Sequence, residues 1–213
     1  MEIPADVTIK TLQGSWTLDK TIADDADRIL TLQGVGWLTR KAISAATMTL
    51  HFTSTQSPDT PTTHLKMRQT LTGGIPGSTE DRIMDWAERE RSNHIYGEVL
   101  SRSRLIGGVR GEDGNVRPEL ELQSQAGSSA IEEEVRGFLC AGVPDLSSVE
   151  EKEGRYGDLY IHDFGRNEKG GWTAEQIWCI EVIEGKKYLA RRIAVVREDG
   201  YELARLVYRF SAL

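Results

Sequence analysis

Cysteine is scarce in this chain: Cys140 and Cys179 are the only two in 213 residues. That excludes a disulfide framework, and no C-x-x-C pair exists for redox or zinc chemistry. Histidine is also sparse, with His51, His64, His94 and His162 on different predicted strands. No two have the spacing of a helical or hairpin ligand pair, so no metal site is expected. Long apolar runs are missing, and no stretch approaches the roughly eighteen residues of a membrane span. The opening MEIPADVTIK has no apolar core of the kind a secretory leader needs. Basic residues are outnumbered, 26 Lys and Arg against 33 Asp and Glu, which leaves a formal charge of −7. That balance disfavours nucleic acid and anionic membrane surfaces as partners. The absences together predict a cytoplasmic protein with no nucleic-acid partner and no stable membrane insertion.

Catalytic motifs are missing too. There is no G-x-S-x-G elbow. The glycine-rich GGIPGST at 73–79 lacks the Lys-Ser/Thr ending of a phosphate loop, and no helix follows it. It reads as a turn between strands, and no cofactor is expected.

What the chain does have is alternation. After residue 47 the apolar period is two, in segments 47–55, 64–72, 80–91, 94–106, 118–124, 158–165, 172–184, 186–198 and 201–210. With a first strand around Trp16 this predicts about ten strands. Short joins such as Ser92-Asn93, Glu184-Gly185 and Asp199-Gly200 read as hairpin turns. Successive strands on short turns form an antiparallel meander, and a long meander removes its edges by closing into a barrel. The whole of 1–213 is read as one mainly β domain, an antiparallel up-and-down β-barrel.

Two stretches break the alternation. Residues 24–44 carry two short helical stripes joined by Gly34-Val35-Gly36. Each is too short to be stable alone and must pack on something larger. Residues 107–157 read as an insertion with one helix near 128–140, introduced by a serine cap and early glutamates. It holds too few large apolar residues for a core of its own, and whether it caps the barrel or mediates a homodimer stays open.

Gly14-Ser15-Trp16 matches the G-x-W signature of the first strand in calycins, the lipocalins and fatty-acid-binding proteins. LTLQGVGWLTRKAI at 30–43 resembles the helix-turn-helix of intracellular fatty-acid-binding proteins. The chain is also similar to fungal lipocalin-like proteins of about this size. The resemblance implies a calycin-like barrel whose helical pair is a lid, with Ile29, Leu30, Trp37 and Leu38 covering the open end and Arg40 turned to water. It also implies a hydrophobic ligand. The Arg-x-Tyr carboxylate clamp of that family departs here to Arg205-Leu206-Val207-Tyr208. A spacing of three puts the two side chains on opposite faces of a strand. The wider calycin pattern gives Arg205 a structural role over Trp16, as a cation–π pair closing the barrel base.

Alternation nominates the site. On 172–184 the better inward face carries Gln176 and Trp178. On 187–196 both faces are apolar; Tyr188 and Arg192 share one, Arg191 the other. On the last strand Tyr208 is on the apolar side. Arg68, Arg192 and Tyr208 are the expected anchors, with Trp86, Gln176, Trp178 and Tyr188 lining the cavity. The charged segment 81–104 is either a solvated outer face or an interior with Glu88, His94 and Tyr96 as acid–base groups. Two functions follow. One is binding of a hydrophobic lipid-, polyketide- or terpenoid-like molecule. The other, which the resemblance to fungal lipocalin-like proteins implies, is a cofactor-independent cyclase or isomerase of pericyclase type, acting on a hydrophobic intermediate of fungal secondary metabolism.

Overall fold

The computed structural model describes residues 2–4, 6–56, 62–143, 151–152 and 155–211. β1 (Gly14–Leu18) leads into α1 (Asp27–Leu32) and α2 (Trp37–Ala45). Then come β2 (Met48–Gln56), β3 (Thr63–Leu71), β4 (Ser78–Ile83), β5 (Arg89–Asn93) and β6 (Gly97–Arg110). The short β7 (Val116–Pro118) precedes α3 (Ser129–Leu139) and the short β8 (Glu151–Lys152). β9 (Arg155–Asn167), β10 (Trp172–Ile183), β11 (Lys186–Arg197) and β12 (Gly200–Ser211) complete the order.

Ten strands pair antiparallel in the order β4-β3-β2-β1-β12-β11-β10-β9-β6-β5, with β7 added on β6 and β8 on β9. This is the expected calycin-like meander, curled so that β1 and β12 pair. β4 and β5 end the path. Arg91 bridges from one to the other, donating to the Asp81 carbonyl at 2.7 Å and lying 3.5 Å from the Glu80 carboxylate.

The inner face holds one core. Trp16, Leu50, Met67, Ile161, Trp178, Leu189 and Tyr208 are all almost fully buried there. The amino-terminal segment adds Val7, Ile9 and Leu12. A second core lies on the outer wall, where Val135 and Leu139 of α3 pack on Ile177, Cys179, Ala190, Ala194 and Val196. The insertion thus has a core by sharing one with the barrel wall. Ser128 caps α3 through the Ile131 N–H, as its sequence suggests.

Three expectations change. The run 80–91 is not one strand; it breaks between β4 and β5, where Trp86 adopts φ 61°. A bulky residue rarely takes that conformation. Here the indole lies between the guanidiniums of Arg102 (4.4 Å) and Arg104 (4.2 Å) and against His162 (4.7 Å), and these contacts offset the strain. The run 118–124 forms no strand beyond Pro118. In the lid, Ile29 and Leu30 are buried, but Trp37 and Leu38 are 64% and 75% exposed. Val35 takes the inward place instead, and Arg40 folds back onto Asp27 (3.1 Å) and the Val35 carbonyl (2.8 Å). Gly142, Pro144 and the acidic run 150–153 also read as a loop in the sequence, and most of that stretch lies outside the described residues. Among the described residues, no helix is long and apolar enough to cross a membrane.

Candidate functional site

The α1–α2 turn sits at one end of the barrel because Gly34, at φ 79°, lets the chain reverse. The Val35 N–H reaches the Leu30 carbonyl and the Gly34 N–H reaches that of Thr31, a Schellman closure. Beneath this turn is a cleft of about 450 Å³, lined by Gln33, Gly34, Tyr96, Asn167, Lys169 and Trp172 among others. Lys169 and Glu98 pair at 3.2 Å on its rim. Tyr96 and Trp172 meet edge to face at 5.8 Å, and both belong to the inner core. The cleft therefore borders the inner core. Desolvation pushes the Tyr96 phenol up to about 12.

Deeper in, alternation sorts the side chains. Trp178 stacks on Tyr208 (6.2 Å, 20°) and meets Phe52 edge to face (6.0 Å). Its indole N–H donates to Asp163 at 2.9 Å. Asp163 also accepts from the Ser103 hydroxyl at 2.6 Å and pairs with Arg82 at 3.2 Å. Arg82 reaches Glu80 at 2.8 Å. Burial opposes the Asp163 charge, but Arg82, Ser103, Arg91 and Trp178 outweigh it and hold the carboxyl below its ordinary range. Arg191 lies over Trp178 at 4.6 Å and donates to Gln176 at 2.8 Å. Burial pushes the Tyr208 phenol up, and Arg191 and Arg82 pull it back.

The expected residues separate. Gln176, Trp178 and Tyr208 come together in the interior, and Tyr96 lines the cleft. Trp16 is fully buried at the base against Phe210 (5.1 Å). Arg68 is exposed, on the face of β3 opposite the buried Met67. Trp86 lies on the outer wall over His162. Glu88 is exposed and pairs with Arg166 at 3.0 Å, while His94 is exposed in the β5–β6 turn, so neither joins Tyr96 as a buried acid–base group. Arg192, on the same face as Tyr188, lies on the outer side of β11, paired with Glu181 at 2.5 Å. Arg205 pairs with the same Glu181 at 2.5 Å and not with Trp16. Among the described residues, no group of three or more histidine, cysteine or carboxylate side chains could hold a metal ion.

Sequence reasoning passed over Arg82, Ser103 and Asp163. The signal existed in 158–165, where Ile161 and Asp163 share a face. Arg191 was visible as the alternative to Arg192.

A buried pair on the outer wall shows how the insertion is fixed. His162 Nε2 lies 2.7 Å from Glu175, and Arg104 donates to its Nδ1 at 3.2 Å, which leaves the ring proton on Nε2. Glu175 also accepts from the backbone N–H groups of Gln123 and Ser124. Both ring nitrogens of His162 and both oxygens of Glu175 are engaged within the protein, so the pair buttresses the insertion.

No family model matches the chain. It is 26% identical over 207 residues to a protein of Mollisia scopiformis named probable pericyclase scpY, covering 97% of this chain and 93% of that one. It is 26% identical over 212 residues to pericyclase pydY of an Acremonium species, covering 99% and 97%. Among solved structures, a Schistosoma mansoni fatty-acid-binding protein in complex with arachidonic acid aligns at TM-score 0.53 and 13% identity, covering 97% of this chain and all of that one. Fatty-acid-binding protein 1 of Echinococcus granulosus aligns at 0.53 and 13%, covering 95% and 98%. The fold is that of the fatty-acid-binding proteins, a calycin barrel.

Proposed function

We propose that this protein binds a hydrophobic small molecule inside its barrel. The cleft beneath the α1–α2 turn carries the reading, because its Tyr96 and Trp172 walls are part of the inner core. A ligand entering there passes the polar rim of Lys169 and Glu98, then reaches the aromatic walls of Tyr96 and Trp172, and apolar walls with a few fixed polar groups are the composition of small-molecule sites. The two free thiols suit a cytoplasmic setting, and the acidic charge suits a protein that works without nucleic acid. Titration with the apolar dye ANS, followed by displacement with long-chain fatty acids and polyenes, tests the binding. Saturable one-to-one binding is expected; none to any apolar probe would end the proposal.

The two full-length relatives named pericyclases favour a second reading, catalysis in the same cavity. A pericyclic reaction moves electrons around a ring of atoms in one step and needs no cofactor. A protein accelerates it by holding the substrate in a reactive shape. Deleting the gene in its host and comparing extracts by mass spectrometry separates the readings. A catalyst leaves an isomer of unchanged mass in place of its product; a carrier leaves the same compounds at lower abundance.

A further inference from the structure

The walls of the cleft under the α1–α2 turn are tied to each other. Asn167 donates to the Tyr96 carbonyl at 2.7 Å and accepts from the Gly170 N–H at 2.6 Å, so the β9–β10 turn and the entry to β6 hold one geometry. Trp172 lines that cleft and is only 4% exposed. A Cβ on Gly170, another lining residue, would lie 2.6 Å from Trp172 Nε1, so the N–H edge of the indole faces this turn. The other deeply buried indoles use their N–H groups: Trp16 donates to the Gln13 carbonyl at 3.0 Å and Trp178 to Asp163 at 2.9 Å. Among the described residues the Trp172 N–H has no acceptor. Yet the fully enclosed side-chain atoms without a partner are Thr63 Oγ1, Arg102 Nε and Arg166 Nε, and Trp172 Nε1 is not one of them. It therefore opens to the cleft that its ring lines. On the lid side of the same cleft, Gln33 is half-buried, and its amide has no side-chain partner among the described residues. Charge is balanced at the rim, where Lys169 and Glu98 face each other. An indole N–H can only donate, and an amide can donate as well. Two neutral donors suit an uncharged oxygen; they do not replace the water around a carboxylate.

We propose that the Trp172 indole N–H and the Gln33 amide form an oxygen subsite in this cleft, which holds the carbonyl of a neutral, otherwise apolar ligand. The ligand class is then an uncharged ketone or ester, with its polar end at the α1–α2 turn and its apolar part against the Tyr96 and Trp172 rings. This rests on the proposed binding of a hydrophobic molecule at the same cleft. Because Asn167 fixes the walls in advance, little ordering remains to be done when the oxygen arrives.

The test uses two fluorescent probes: the naphthyl ketone prodan, and diphenylhexatriene, which has no acceptor. Wild-type protein is expected to bind both, with prodan emission shifted by hydrogen bonding to the red of its position in aprotic solvents. Trp172→Phe keeps an aromatic ring and removes the N–H; it should weaken prodan about fivefold or more and move its emission back to the blue. Gln33→Met should weaken prodan about threefold. Both should leave diphenylhexatriene unchanged, as a merely structural role would not, and Arg68→Met, on the outer face, should change neither probe. Proton NMR of the wild type reads the same contact without a variant: prodan should move the Trp172 indole N–H resonance further downfield than diphenylhexatriene does. Circular dichroism confirms that each variant is folded, and if Trp172→Phe is not, Gln33→Met and the NMR shift decide. Equal weakening of both probes, or an indole resonance that prodan leaves in place, overturns the oxygen subsite while leaving the binding proposal intact. If hexadecanoate binds more tightly than its methyl ester and loses that advantage in Lys169→Met, the cleft is a carboxylate site and the inference fails. If wild type binds neither probe, the binding proposal fails first, and the subsite with it.

Discussion

At the residue scale, the interior is organised by Asp163. It accepts from Ser103 and Trp178 and pairs with Arg82, all deep in the barrel. Removing one member of a buried ion pair leaves the other uncompensated. Asp163→Ala is therefore expected to lower unfolding free energy by about 3 kcal/mol or more, measured by urea denaturation. Asp163→Asn should lose less, because its amide oxygen can still accept from the indole. The pH dependence follows from the direction of the shift. A carboxyl held below its ordinary range stabilises the fold above the unfolded value near 3.9, and that contribution fades as pH falls through the folded value. Acid titration of wild type should show it; Asp163→Asn should flatten that limb. The tyrosines act at the other end. Tyr96, pushed up to about 12, and Tyr208, also raised, keep their protons in the fold longer than in the unfolded chain. They stabilise the fold below about pH 10, and that stability is lost as pH rises toward the folded values.

At the element scale, the lid is held by α1 and its turn more than by α2. Ile29 and Leu30 are buried and Gly34 closes the helix, whereas α2 buries no residue. Gly34→Ala must force φ 79° on a residue with a Cβ and is expected to cost about 1 kcal/mol. Trp37→Ser and Leu38→Ser should change stability by less than about 0.5 kcal/mol, since both side chains are already in water. Thermal melts of the three variants check the contrast.

The same elements show what was legible in the sequence. β10 was legible because its outer face carries Glu175 and Glu181 against an inner face of Ala174, Gln176 and Trp178. β11 was not. Its inner face packs Leu189, Ile193 and Val195 into the barrel, and its outer face packs Ala190, Ala194 and Val196 under α3. A strand buried on both sides loses its period-two signal. With Arg191 and Arg192 adjacent, nothing local says which points inward. Trp86 misled for another reason: Met84 and Trp86 alternate like strand residues, yet the turn there is stabilised by Arg102, Arg104 and His162, distant in sequence or on another strand.

At the scale of the whole molecule, the sheet wall carries two cores back to back. The inner one forms the container, and the outer one fixes the insertion to β10 and β11. Because the strands are shared, the two should unfold together. Leu139→Ala, at a fully buried position on α3, is expected to cost about 2–5 kcal/mol. Calorimetry should still show a single transition; a separate early transition for the insertion would contradict the shared wall. The charge-bridged seam between β4 and β5 and the cleft under the α1–α2 turn interrupt the wall, while the G-x-W tryptophan and the amino-terminal segment fill its base.

The central claim is that the barrel interior, and not the outer wall, holds the ligand. A crystal structure of the protein saturated with a long-chain fatty acid or polyene that displaces ANS tests it most directly. The account expects density that enters at the Tyr96–Trp172 mouth and lies within the inner core. Density confined to the outer wall, or a barrel that stays empty at saturating probe, would contradict it.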